Sequence, residues 1–294
     1  MSGPRVGLLS AGQMGAAIGG VLVRHGGLEV LTSLDGRSEL TCERAREAGL
    51  RDVGDIATLA CEADVLLSVM RPSGTEEATR AVADALRGSG HRLVFVECNA
   101  IPPATALGYA ELVAEAGGVF VDAAIQSPPP RGPGLILYAS GPHATELEFL
   151  RPAGIDLRVL SGPVGQASAL DMVVGGASKL FEAAALQVYL GARRWGLVDV
   201  LEDRAARLVG GVAHLAPLMP SRVARWAEEM VETAAFTRES GLPGGLFDGA
   251  AELFALVAGS ERVRDGATAE WPASQRAVVE LIAADLEQAA GPTG

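Results

Sequence analysis

Short apolar, β-branched runs alternate with amphipathic stretches through the first half of the chain. "RVGLL", "LEVLT", "ADVLLSV", "HRLVFVE", "GVFVDAAI", "GLILYAS" and "DLRVL" have the length and composition of strands. Between them, Gly15–Arg24, Gly74–Leu86, Pro103–Ala116 and Ala144–Leu150 have helical character, and Pro72-Ser73 opens the second of these. Continuous apolar strands joined by helices predict a parallel sheet covered on both faces, with right-handed crossovers: a doubly wound α/β domain.

The pattern changes after "LSGPVGQ". From about Ala167 to Gln288 the apolar positions keep a helical period, broken at Gly196, Pro217, Pro220, "GLPGG" and Gly259. The boundary is expected near Gly162–Gly165, giving a Rossmann-like domain over residues 1–163 and an all-helical domain over residues 164–294.

Composition narrows the function classes. With 49% hydrophobic and 20% charged residues in 294, the chain can bury one large core or two modest ones. No apolar run is long enough to predict a membrane span, and no leader pattern opens the chain, so the expectation is a cytoplasmic protein. A net charge of −12 argues against nucleic acid or bulk membrane as partners. Cys42, Cys61 and Cys98 are widely spaced with no zinc-ligand pattern, so buried free thiols and no metal are expected.

"VGLLSAGQMG" is a strand running through a tight turn into a helix. A dinucleotide loop needs small residues where the chain turns, where backbone approaches the pyrophosphate and where helix packs on strand. Gly12 and Gly15 fill the last two places and Ser10 the first, so Ser10, Ala11, Gly12, Gln13 and Met14 are candidate cofactor contacts. At the end of the second strand, "LTSLDGRSELT" offers Ser33, Arg37 and Ser38, hydroxyls and a guanidinium that suit the 2′-phosphate of NADP. Were the strand to run longer, Asp35 would be the ribose-binding acid of an NAD site.

With this layout, "GLLSAGQMG", "VECNAIPPAT" and "GPVGQASALDM" resemble the 6-phosphogluconate dehydrogenase and β-hydroxyacid dehydrogenase superfamily along nearly the whole chain. "ASKLFEA" and residues 225–258 further resemble phosphogluconate-dehydrogenase-like proteins with a helical C-terminal domain of unassigned function. The resemblance implies a helical substrate and dimerisation domain that intertwines with a second copy, and an interdomain cleft where hydride is exchanged with a nicotinamide. By the same likeness, Met70, Arg71, Pro72 and Asn99 line the nicotinamide side.

Two family signatures are altered. The substrate-carboxylate motif is replaced by "DAAIQSP", which makes Gln126 and Ser127 candidate substrate contacts. Asp171 stands at the position of the catalytic lysine, which resembles the imine reductases, NADPH-dependent enzymes of the same superfamily. A carboxyl group there can bind or protonate an iminium nitrogen that an ammonium would repel. Asp171 is expected to be half-buried, with burial favouring its protonated form.

Lys179 is the single lysine among 24 Lys and Arg residues. It is a second catalytic candidate, as a base or a substrate anchor, with a snorkelling surface lysine as the alternative. Gly175 and Gly176 interrupt the same helix, which implies a close approach by another backbone, from the cofactor domain or a dimer mate. In the "RWAEEM" helix, Trp226, Glu229 and Met230 either close a substrate pocket, from this chain or a second copy, or form a core Trp with surface acids. His214 is a lone histidine that could touch substrate.

The residues thus point to an NADPH-dependent reductase of C=N or C=O bonds in a small organic substrate. A hydroxyacid or sugar-acid dehydrogenase using Lys179, and an NADP-binding sensor without turnover, are the alternatives.

Overall fold

A computed structural model describes residues 3–208, 219–239, 241–260, 280 and 282–284. The chain forms two compact units, one ending at Met172 and one beginning at Val173.

The first unit is built on one eight-stranded sheet in the order β3-β2-β1-β4-β5-β6-β7-β8. Its strands are β1 (Val6–Leu8), β2 (Val30–Thr32), β3 (Arg51–Asp52), β4 (Val65–Ser68), β5 (Val94–Glu97), β6 (Val119–Ile125), β7 (Leu135–Ser140) and β8 (Ile155–Val159). All neighbours pair in parallel except β6 and β7. The order reverses between β1 and β4, and the crevice at such a reversal is where doubly wound sheets take nucleotides. Helices α1 (Gln13–Gly26), α2 (Glu39–Ala48), α3 (Ile56–Glu62), α4 (Thr75–Leu86) and α5 (Pro103–Glu115) connect the parallel strands.

Two apolar clusters bury the faces of the sheet. One gathers Ile18, Val21 and Leu22 of α1 with Leu147 and Leu150. The other gathers Leu59, Val82, Leu86 and Val113 of α3, α4 and α5 around Phe95, whose ring stacks on Phe120. The seven strands read from the pattern are all present. β3 escapes such reading because it is two exposed charged residues on the sheet edge. Ala144–Leu150, read as helical, is a 3-10 helix.

After β8 the chain turns through Gly165, at φ 99°, into the short helix α6 (Gln166–Leu170), which packs on β6 and β7 within the first unit. A π-helical turn, Asp171–Gly175, follows. The second unit, among the described residues, is helical: α7 (Gly176–Arg194), α8 (Val198–Leu208), α9 (Met219–Glu239) and α10 (Gly245–Ala258). Its core joins Leu186 and Tyr189 to Val223, Trp226, Met230 and Phe254. Among the described residues no helix is long and apolar enough to cross a membrane.

Gly15 shows how tightly the β1–α1 turn is packed. A β-carbon there would lie 2.0 Å from the Ser10 carbonyl oxygen, which cannot move without dragging the turn. Gly15→Ala is therefore expected to cost about 1–3 kcal/mol in a urea unfolding titration, as overpacking does. Gly12→Ala, whose new methyl meets nothing closer than 3.7 Å, is expected to cost less than about 1 kcal/mol.

Candidate functional site

The first turn of α1 carries the features of an anion cradle. Gly12 is its N-cap, in extended backbone, and no side chain caps the helix. The first-turn N–H groups of such a helix are left to an external acceptor and favour negative charge. Around Gly12, Ser10 and Met14 are half-buried, Ala11 is buried and Gln13 is exposed.

The end of β2 sharpens the expected 2′-phosphate site and narrows it. β2 stops at Thr32, and Asp35 is exposed in the turn beyond it. Ser33 is buried and its hydroxyl donates to the Gly54 carbonyl at 2.7 Å. Ser38 caps α2, its Oγ accepting from the Thr41 amide. Both hydroxyls therefore have structural partners. Arg37 reaches back to the end of β1, where one terminal nitrogen donates to the Leu9 carbonyl at 3.2 Å and its buried Nε has no partner.

Beyond β4 and β5, Met70 and Pro72 are half-buried and Arg71 is exposed. Asn99 is a tie between the two strands rather than an open contact. Its Oδ1 accepts from the Met70 amide at 2.6 Å, and its Nδ2 donates to the Ser68 hydroxyl at 2.9 Å and to Glu97.

Asp171 is half-buried at the start of the π-helical turn, and Gln126 donates from Nε2 to its Oδ1 at 2.7 Å. Gln126 thus holds the candidate acid. Ser127 holds the hairpin between β6 and β7, its Oγ accepting from the Ile136 amide.

In the second unit, Lys179 lies 2.9 Å from Glu229 and also donates to the Gly175 carbonyl. Arg225 flanks the same glutamate at 3.0 Å. The Lys179 side chain keeps 17% of its exposure and that of Glu229 keeps 9%, so the glutamate, expected as a surface acid if not in the pocket, is buried. Nearby on α7, Glu182 is pushed up to about 7 by burial against the opposing charge of Arg222. Trp226 and Met230 are buried in the helical core, where Trp226 packs on Phe254. Gly176 admits the Thr233 methyl of α9, 2.7 Å from where a β-carbon would sit, so a side chain, not the expected foreign backbone, is what this glycine admits. His214 lies outside the described residues.

Sequence reasoning passed over a row of polar residues inside the sheet. Ser68, Glu97, Asp122 and Ser140 are register partners on β4, β5, β6 and β7, and each is fully buried. Asp122 Oδ2 accepts from the amides of Gly165, Ala167 and Ser168 and from the Ser140 hydroxyl, while Oδ1 accepts from the Ser168 hydroxyl. The signal was present: "VLLS", "VFVE", "VFVD" and "LYAS" each place one polar residue in an apolar strand at the same depth.

Among known proteins, a family described as "Domain of unknown function (DUF1932)" matches residues 192–257. An uncharacterized 28.5 kDa protein of Methanothermus fervidus is 28% identical over 174 residues, 59% of this chain and 66% of that protein. Solved structures share the fold. One is a conserved protein of unknown function, described as structurally similar to 3-hydroxyacid dehydrogenases; it is 27% identical, with 90% and 98% of the two chains covered and a TM-score of 0.62. A 3-hydroxyisobutyrate dehydrogenase from Salmonella typhimurium is 17% identical over 95% and 100% of the chains, at 0.70. An imine reductase from Myxococcus stipitatus, in complex with NADP+, is 17% identical over 97% and 100%, at 0.54. The chain thus has the Rossmann-like fold with a helical C-terminal region shared by hydroxyacid dehydrogenases and imine reductases.

Burial pushes the Glu97 carboxyl up to about 7, against the hydrogen bonds from Asn99 that oppose the shift and with the help of the Asp122 charge. A folded-state value above the unfolded one means the native protein binds this proton more tightly than the unfolded chain. The resulting stability is complete below about pH 4.5 and is lost as pH rises through about 7. Relative to Glu97→Gln, the unmodified protein should lose on the order of 3 kcal/mol across that window, read from urea titrations at a series of pH values.

Proposed function

We propose that this protein is an NADPH-dependent oxidoreductase whose preferred acceptor is the C=N bond of a small organic imine, with a C=O bond as the second choice. The observation that carries the reading is the uncapped α1 N-terminus at Gly12, with the partnerless Nε of Arg37 in the loop between β2 and α2. Together they fit a pyrophosphate and a 2′-phosphate. Ser10, Ala11, Gln13 and Met14 would surround the first, and Met70, Arg71 and Pro72 the nicotinamide. β2 ends before Asp35, which favours NADP over NAD.

When bound, the nicotinamide supplies the hydride. The protein's own part is to hold a proton and a position. Asp171, kept in place by Gln126, is the acid that anchors an iminium nitrogen or protonates it. Lys179 is a polar anchor, its amine already committed to Glu229 and Gly175. That commitment favours the imine reading over the dehydrogenase in which Lys179 is the base.

The test is NADPH oxidation across a panel of cyclic imines and 3-oxo acids. Imine-dependent turnover is expected, with kcat/KM reduced about a hundredfold or more in Asp171→Asn and less than about tenfold in Lys179→Met. Loss confined to the lysine variant, with oxo-acid substrates, would establish the dehydrogenase reading instead. Tight NADPH binding with no oxidation by any compound would point to a sensor.

The working form in this reading is a homodimer. Val174, Phe181, Val188 and Trp195 recur at a spacing of seven, and all are exposed, Phe181 at 70% and Trp195 at 76%. Residues seven apart share one face of a helix, and such an apolar stripe fits the same stripe on a second copy. Sedimentation should give a dimer for the unmodified protein and a folded monomer for Phe181→Asp. A monomer in both cases would remove the dimer from the reading.

A further inference from the structure

The buried row Ser68–Glu97–Asp122–Ser140 contains two carboxyl groups on adjacent strands, and among the described residues no cation pairs with either. Their partners differ. Asp122 receives five hydrogen bonds, three from backbone amides at the start of α6. Glu97 receives its bonds at Oε1, from the amide and the side chain of Asn99, and its buried Oε2 has no hydrogen-bond partner. A second buried charge beside Asp122 would be poorly supported, and burial pushes the Glu97 carboxyl up to about 7. The groups facing it are Ser68 on β4, Cys98 and Asn99 on its own strand end, and Asp122 on β6.

Asn99 links this acid to the cofactor site. One side of its amide is held by Glu97 and Ser68, and the other fixes the backbone N–H of Met70, where the chain leaves β4 for Pro72. We propose that Glu97 is a positioning residue: its Oε1 orients Asn99, which fixes the Met70–Pro72 turn against the nicotinamide half of the cofactor. This rests on the cofactor reading above.

Two measurements test it. The first is affinity for NADPH beside that for 2′,5′-ADP, which carries the adenosine half alone. NADPH affinity should weaken about three- to tenfold in Glu97→Leu, which removes the acceptor of the Asn99 bonds, while 2′,5′-ADP affinity stays level. Glu97→Gln keeps an oxygen acceptor, so it should hold the affinity of the unmodified protein.

The second measurement needs no cofactor. Hydrogen exchange in the peptide spanning Met70 should accelerate about tenfold in Glu97→Leu and stay unchanged in Glu97→Gln. Unaltered exchange and NADPH affinity in Glu97→Leu would overturn the positioning role while leaving the cofactor reading intact. Failure of the unmodified protein to bind either nucleotide would overturn both.

Discussion

One buried carboxylate organises the part of the molecule on which the chemistry depends. Asp122 sits mid-sheet with no exposure, a placement that would cost several kcal/mol for an unsupported charge. Its negative charge is balanced by the amides that open α6 and by two serine hydroxyls, so it completes the N-terminus of that helix from inside the sheet. Because α6 runs directly into the turn that begins with Asp171, the direction of the candidate acid is set by this contact and refined by Gln126. The left-handed Gly165, packed over Pro103, gives the chain the bend that brings those amides in.

Much of the fold was legible because it follows from pattern. Seven apolar strands and the turn with Gly12 and Gly15 depend on local sequence, whereas α6 belongs by packing to the first unit and the two units divide at Met172–Val173. β3 was hidden because two charged residues on an edge carry no periodic signal. The π-helical turn was hidden because a single wider turn within a helical stretch leaves no periodic signal of its own.

The candidate site was legible in residue type more than in partnership. Asp171, Gln126, Asn99 and Arg37 were each singled out, but sequence could not say that Gln126 would hold Asp171 or that Asn99 would be enclosed by Glu97 and Ser68. Ser33 and Ser38, attractive as phosphate contacts, serve Gly54 and Thr41. Hydroxyls near strand ends satisfy neighbouring backbone as readily as ligands, and only geometry distinguishes the two. The same holds for Lys179, whose rarity drew notice while its partner Glu229 had the alternative of a surface acid on a helix.

The polar row across β4 to β7 also limits how the sequence can drift. Each member is sealed from water; Ser140 donates to Asp122, and Ser68 and Glu97 share the Asn99 amide, so an apolar replacement in either pair leaves a buried donor or acceptor without its partner. Substitutions at these four depths would be tolerated mainly in compensating pairs, and descendants of this chain should inherit or exchange the set together. The strand interiors around them, bounded by Val, Leu and Phe, are free to vary one residue at a time.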